Sequence, residues 1–223
     1  MRRLSLEISQ HNFDVVIDSR TRPAIFREIF ISKVVYRSFK VVYIVRSFKL
    51  DRYFVPINWL AKYLYNSAYK IVTVSKEIKK AVEHKYGFNN VNCIYNPVEI
   101  SQESPRNENP VNSRYVLYFG RLVDEVKNLK LLINAYRISK LHQENIKLVI
   151  LGSGNDEDML KTYVRDREMD KHVIFKCFVK NPNSYIYNAL FTVLTSRYEG
   201  FPRTLIESLA QGTPVISVDC SSG

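Results

Sequence analysis

Two patterns of apolar and polar positions alternate along this chain. Short runs rich in Val, Ile, Tyr and Phe at 13–19 (FDVVIDS), 40–47 (KVVYIVRS), 69–75 (YKIVTVS) and 90–96 (NVNCIYN) predict strands. The longer stretches between them, 22–37, 56–67 and 76–87, predict helices. Residues 97–113 (PVEISQESPRNENPVNS) are rich in Pro, Asn and Ser and nearly free of apolar side chains, which predicts a linker. The alternation then restarts, with strands expected at 115–120, 146–152, 172–178, 189–196 and 213–219. Helices are expected at 128–142, 156–169 and 202–211.

Near-continuous apolar strands separated by helices predict parallel sheets buried on both faces. Two such series predict an α/β chain of two Rossmann-like domains. Residues 1–96 would form an amino-terminal domain and 114–223 a carboxy-terminal, ligand-binding domain, joined by the linker at 97–113. In sheets of this kind, ligands sit beyond the carboxyl ends of the strands.

Composition narrows the class. The chain has 223 residues, 46% of them hydrophobic, enough for a core. No apolar run approaches the ~18 residues of a membrane span. The opening MRRLSLEISQHNF has basic residues but no apolar h-region, so a secretory signal is not expected. Cys93, Cys177 and Cys220 are scattered, with no CxxC and no Cys/His cluster. Neither a disulfide framework nor a zinc site is indicated, and a reduced, cytoplasmic protein is the expectation.

The net charge of +11 is lopsided: residues 1–100 carry 17 Lys+Arg against 8 Asp+Glu, and the remainder is nearly balanced. Between 26 and 70, cations interleave with aromatics: Phe26, Arg27, Lys33, Tyr36, Arg37, Phe39, Lys40, Arg46, Phe48, Lys49, Arg52, Tyr53, Trp59, Lys62 and Tyr63. Amphipathic helices with snorkelling cations account for such a pattern. Peripheral docking on the anionic inner face of a cell membrane accounts for it too. No nucleic-acid motif accompanies the charge, so nucleic acid is not an expected partner.

The candidate chemistry lies in the second half. FGR (119–121) ends a strand and Lys127-Asn128 opens the next helix, so Arg121 and Lys127 could hold a diphosphate. Either could equally be an ordinary loop cation. Gly152, in LGSG, follows a strand and would allow close approach of backbone to ligand or simply make a tight turn. DED (156–158) formally matches an Asp-x-Asp metal site, but acidic residues at a helix start favour the macrodipole, with Asn155 as the expected N-cap.

The densest stretch is RYEGFPRTLIESLAQGTPVIS (197–217). Pro202 suits a first helical turn, and the N–H groups near Arg203, Thr204 and Leu205 would form an anion site. Leu205, Ile206 and Leu209 are the expected apolar face. Glu199 precedes the helix mouth, and Glu207 lies roughly 7.5 Å further along the axis than Pro202. Two carboxylates flanking an anion site match the order sugar, diphosphate, ribose, because carboxylates accept hydrogen bonds from paired hydroxyls; in isolation Glu207 would read as a solvated helix residue.

TSRYEGFPRTLIESLAQGTPVISVDCSSG closely resembles the signature of the retaining GT-B glycosyltransferases called group 1, or family 4. Glu199 and Glu207 match their Glu-x7-Glu pattern, and Arg121 and Lys127 their phosphate-contacting cations. LGSG and Phe178-Val179 are similar to their base-side loops, and VTVSKEIKK and IYNPVE to the end of their first domain. The resemblance implies that Glu199 contacts hydroxyls of the donor sugar and Glu207 the ribose. It implies that Arg121, Lys127 and the backbone from Gly200 through Phe201, Pro202 and Thr204 to Leu205 hold the diphosphate, with Gly120, Gly152 and Val179 also around the donor. No cofactor and no catalytic metal are implied. The implied partners are a nucleotide-sugar and a glycan or lipid-linked acceptor in surface polysaccharide or glycoconjugate synthesis.

Three departures from the family pattern are visible. No strand with a Gly-rich loop precedes Phe13, and the chain stops at DCSSG, where the family continues. Set against the family, both imply an enzyme truncated at each end, with 1–96 a partial acceptor-side domain and 114–223 a truncated nucleotide-sugar-binding domain. Cys177 stands where many members have Gly. The alternative to a hexosyltransferase is a remnant that binds nucleotide-sugar or membrane without turnover.

Overall fold

The computed structural model describes residues 13–98 and 109–220. Most of the expected linker and the amino-terminal stretch read for targeting lie outside the described residues. Two compact units emerge. One holds residues 13–96 and Glu199–Phe201, the other the described part of Pro97–Tyr198 with Pro202–Cys220.

The first unit runs β1 (Val15–Asp18), α1 (Ile25–Phe30), β2 (Lys40–Val45), α2 (Asn58–Tyr65), β3 (Lys70–Thr73), α3 (Lys76–Tyr86) and β4 (Val91–Cys93). The span 22–37 is not one α-helix. After α1 the chain widens into a π-helical turn, Ile31–Val35, closed by Tyr36 N–H donating to the Ile31 carbonyl at 2.9 Å. Its β-branched residues are poor α-helix formers. The helix α3 has clear ends: Ser75 accepts the Ile78 N–H, and Gly87 terminates it at φ +66°.

The sheet is parallel, in the order β1-β2-β3-β4. Its register puts Val16, Asp18, Val41, Tyr43, Val45, Ile71 and Thr73 on one face. The buried apolar residues of that face join Ile31, Val35, Leu60, Leu64, Ile78 and Val82 in a single core. The opposite face carries Val15, Ile17, Val42, Ile44 and Val72. Ile17 is 66% exposed, and Val42, Ile44 and Val72 are only half-buried. The expectation of sheets covered on both faces is therefore corrected for this unit. Each strand is added on the same side of its predecessor, and right-handed crossovers then bring every connecting helix to one face.

A buried polar cluster closes the carboxyl end of β1. Arg22 is fully buried, donating through Nε to the Tyr53 carbonyl at 2.7 Å and lying 3.5 Å from Asp18. Arg20 meets the same carboxylate through two nitrogens and reaches Glu28 at 3.5 Å.

The second unit runs β5 (Tyr115–Phe119), α4 (Asp124–Lys127), α5 (Leu129–Ser139), β6 (Lys147–Leu151), α6 (Glu157–Arg165), β7 (Val173–Lys176), α7 (Asn183–Tyr187), β8 (Thr192–Leu194), α8 (Arg203–Ala210) and β9 (Val215–Ser217). Its parallel sheet has the order β7-β6-β5-β8-β9. The strand order reverses at β5, and two cores result. Val116, Tyr118, Leu148 and Ile150 pack with α5 and α6, while Tyr115, Leu117, Phe119, Val149 and Leu151 pack with Ile186 and Ala189.

Candidate functional site

A cavity of about 700 Å³ opens at the carboxyl ends of the second sheet's strands. Phe119 and Gly120 from the end of β5 and Leu151 from the end of β6 form its floor. The loop after β7 supplies Phe178, Val179, Lys180, Asn181, Pro182 and Asn183, and α8 supplies Arg203, Thr204 and Glu207. The size suits a small-molecule ligand. The position, beside a reversal of strand order, is where open α/β sheets bind ligands.

Glycine is required where β5 and β6 end, at Gly120 in the cavity floor and at Gly152, which stands behind it without lining the cavity. Gly120 and Gly152 have φ near +150°, and a Cβ on Gly152 would collide with the Gly120 carbonyl oxygen. The two turns pack backbone to backbone, so the ends of β5 and β6 are fixed against one another.

The helix α8 is held through polar contacts. Thr192 donates to Ser208 Oγ at 2.8 Å, and Ser208 Oγ donates to the Thr204 carbonyl at 2.8 Å. Ser208 is accordingly the buried residue of this helix, whereas Leu209 is 59% exposed. This corrects the expected apolar face, because the hydroxyl chain, not Leu209, faces β8. The anion site is also narrower than expected: the Leu205 N–H already donates to the Pro202 carbonyl at 3.0 Å.

Arg121 and Lys127 stand on the segment after β5, Arg121 exposed and Lys127 half-buried, and neither lines the cavity. The Lys127 bend is tied down from β8's end. Thr195 donates to the Lys127 carbonyl at 2.9 Å, the Arg197 N–H to the Val126 carbonyl at 2.9 Å, and the Arg197 guanidinium to Asn128 Oδ1 at 2.9 Å. Asn128 takes φ +51° there. Glu199, Gly200 and Phe201 group with the first unit, and Pro202 caps α8 without lining the cavity.

Two of the three carboxylates of DED have partners within the protein. Asp156 Oδ2 accepts the Asp124 N–H at 2.7 Å, and Glu157 pairs with Lys161 at 2.7 Å. Asp156, not Asn155, occupies the N-cap position of α6, so that expectation is corrected; its carboxylate is spent on the start of α4 instead. Among the described residues no cluster of three or more His, Cys, Asp or Glu could hold a metal.

Residues 99–223 match the family described as glycosyl transferases group 1, and residues 1–102 match glycosyltransferase family 4. The chain belongs to the group 1 glycosyl transferases. Its two parallel sheets with alternating helices are those of the GT-B class. Among group 1 relatives, the lipopolysaccharide 1,6-galactosyltransferase of Escherichia coli is 30% identical over 169 residues, 73% of this chain and 46% of that protein. The Campylobacter jejuni N-acetylgalactosamine-N,N'-diacetylbacillosaminyl-diphospho-undecaprenol 4-alpha-N-acetylgalactosaminyltransferase is 31% identical over 170 residues, 74% of this chain and 46% of that protein. The crystal structure of Anabaena Alr3699/HepE in complex with UDP-glucose superposes on 98% of this chain and 64% of its own, with TM-score 0.75 and 18% identity. The chain spans about half the length of these curated relatives.

For this group 1 chain, sequence reading found Gly120, Val179, Thr204 and Glu207 of the cavity wall, along with Phe178. Lys180, Asn181, Asn183 and the Arg203 side chain carry no such signal, nor do the Thr195 and Arg197 supports of Lys127. The Asn-Pro-Asn run at 181–183 is a turn signal that could have placed the loop. Nothing local marks Thr195, whose partner is 68 residues away.

Proposed function

We propose that this chain takes part in transferring a sugar, with retention, from a nucleotide-sugar to a glycan or lipid-linked acceptor in surface polysaccharide or glycoconjugate synthesis. The observation that carries this reading is the cavity at the switch point of the second sheet, with Glu207 in its wall. The relatives' names support it: one is a lipopolysaccharide galactosyltransferase, and the other's name includes diphospho-undecaprenol. In this reading Glu207 accepts hydrogen bonds from the ribose hydroxyls, and Glu199 from hydroxyls of the donor sugar. Phe178 and Val179 flank the base, beside Gly120 in the floor, with Gly152 packed behind Gly120. Arg121 and Lys127, with backbone from Gly200 to Thr204, neutralise the diphosphate as its charge grows on departure. That differential stabilisation lowers the barrier and calls for no metal.

Calorimetry on the full chain with uridine, UDP and UDP-glucose tests the assignment. Glu207→Ala should weaken all three, and Glu199→Ala only the interaction with the sugar. Lys127→Ala should weaken UDP much more than uridine, by roughly 1.5–3 kcal/mol. Equal loss of UDP affinity in both glutamate variants, each still folded, would sink the division of roles. Transfer of labelled sugar to an acceptor lipid separates this reading from binding without turnover.

A membrane face is part of the proposal. Tyr36 and Tyr53 are buried, which removes them from the interleaved cations and aromatics. Phe26, Val34, Trp59 and Tyr63 remain exposed, and Lys33 lies 4.0 Å from the Tyr63 ring centroid. Exposed aromatics beside cations suit the interface of an anionic bilayer. No helix among the described residues is long and apolar enough to cross one. Sedimentation with anionic and neutral vesicles checks docking, and equal binding to both argues against it.

A further inference from the structure

We propose that Arg203 is a ligand-facing residue of the cavity that makes the Glu207 carboxylate compatible with an anionic ligand; this rests on the nucleotide-binding reading above. Both side chains line the cavity, and both come from α8. Glu207 is mostly buried, at 25% side-chain exposure, and the Arg203 guanidinium meets its Oε1 at 3.1 Å across one helical turn.

A carboxylate suits ribose hydroxyls but repels a diphosphate a few ångströms away. Screening is weak in a partly enclosed site. A cation in contact with the carboxylate cancels that repulsion without removing its capacity to accept hydrogen bonds. The chemistry leaves room for both tasks, since an ionised carboxylate has two oxygens with about four lone-pair sites and the Arg203 guanidinium contacts it at Oε1. A guanidinium has five N–H donors, so one that holds a carboxylate can also donate to a phosphate oxygen.

The pair has little reason to exist for stability alone. Arg203 is more than half exposed, and exposed pairs one helical turn apart contribute little to folding. Lys180 also lines the cavity, but the ion pair singles out Arg203 as the cation coupled to Glu207.

The test is calorimetry on the full chain with UDP, GDP and ADP, the tightest being carried forward with its nucleoside. Arg203→Ala, Arg203→Lys, Glu207→Gln and the Arg203→Ala/Glu207→Gln double variant are compared. Arg203→Ala should weaken the diphosphate roughly tenfold or more and leave the nucleoside within about twofold. Arg203→Lys, which keeps the charge, should retain most of the diphosphate affinity. The double variant should lose less diphosphate affinity than the product of the single losses, with no such coupling for the nucleoside. Unchanged diphosphate affinity in Arg203→Ala, equal losses of both ligands, or purely multiplicative losses would each overturn the proposal. Failure of the underlying reading looks different: Glu207→Gln would then leave nucleoside and diphosphate binding alike untouched, or the unaltered chain would bind none of the three nucleotides, and both proposals would fall.

Discussion

The two sheets are built from the same local grammar and reach different ends. In the first, β1, β2, β3 and β4 are laid down in one direction, and every helix lands on one face. In the second, the chain moves outward from β5 through β6 to β7. It then returns to the other side of β5 for β8 and β9, and apolar side chains are buried on both faces. A right-handed crossover fixes which face a helix takes, so covering the second face requires a reversal of direction. The same reversal parts the loops above β5 and β8 and makes the crevice. Cover for the sheet and a place for the ligand therefore arise from one topological event. Among the described residues, the first unit has no such event, and the face with Ile17 stays open.

The largest effect expected from this contrast is at Arg22. With one core, the first unit relies on a buried ion cluster to close the β1 end; removing Arg22 leaves Asp18 with Arg20, strips the Tyr53 carbonyl of its donor and empties a fully buried position. Arg22→Ala should cost about 3–5 kcal/mol. Urea unfolding followed by Trp59, the sole tryptophan and part of this unit, reads the change. A loss below about 1 kcal/mol would mean that the cluster is not what closes this end.

The contrast between faces predicts the next effect. Leu117→Ala, at a fully buried position of the second sheet, should cost about 2–5 kcal/mol. Ile17→Ala, on the open face, should stay within about 0.5 kcal/mol. Thermal melts of the two variants make the comparison, and similar losses would show that the β1 face is covered in solution. Ile17→Lys should also lower binding of a hydrophobic dye, since apolar patches attract such probes.

Thr192→Val tests whether α8 is docked by hydroxyls. It removes the donor to Ser208 while keeping side-chain volume, and should cost about 1 kcal/mol. Urea midpoints measure the loss. An unchanged midpoint would leave apolar contacts as the docking force.

The smallest effect is in acid, and its onset differs between units. Burial alone would raise the Asp18 pKa. The hydrogen bonds from Arg20 and the charge of Arg22 outweigh it and hold the carboxyl below its ordinary 3.8. The folded first unit therefore binds this proton less readily than the unfolded chain, and the contribution is complete above pH 3.8 and lost as pH falls through the lower folded value. For His172, burial, helped by the charges of Lys147 and His142, lowers the pKa from 6.5. Its contribution to the second unit is complete above pH 6.5 and declines below it. Urea midpoints from pH 8 to pH 3, by Trp59 fluorescence and by far-ultraviolet circular dichroism, should show the second unit weakening first. The opposite order would contradict both assignments.

Every strand expected from apolar runs is present, trimmed by up to three residues at either end. The trimming reflects what a run cannot report, namely which backbone groups find a ladder partner. Short helices such as Asn183–Tyr187 and Asp124–Lys127 escaped notice because four or five residues carry no periodicity. For the cavity, the residues legible in advance are those with a motif signature: Gly120 after a strand, Phe178 and Val179 in a loop, and Thr204 and Glu207 at fixed places in a helix.

The sequence by itself determined the alternation, the parallel α/β class, the division of charge and the family, because these depend on short-range patterns and motif spacing. Tertiary structure alone decided the rest. It set which sheet is covered on both faces, because strand order is a property of the path through space. It turned Ser208 rather than Leu209 inward, because Thr192 sits opposite. It made Arg203 the cation against Glu207 in the cavity and tied Lys127 to Thr195, because those contacts depend on side-chain placement or on residues far apart in the chain.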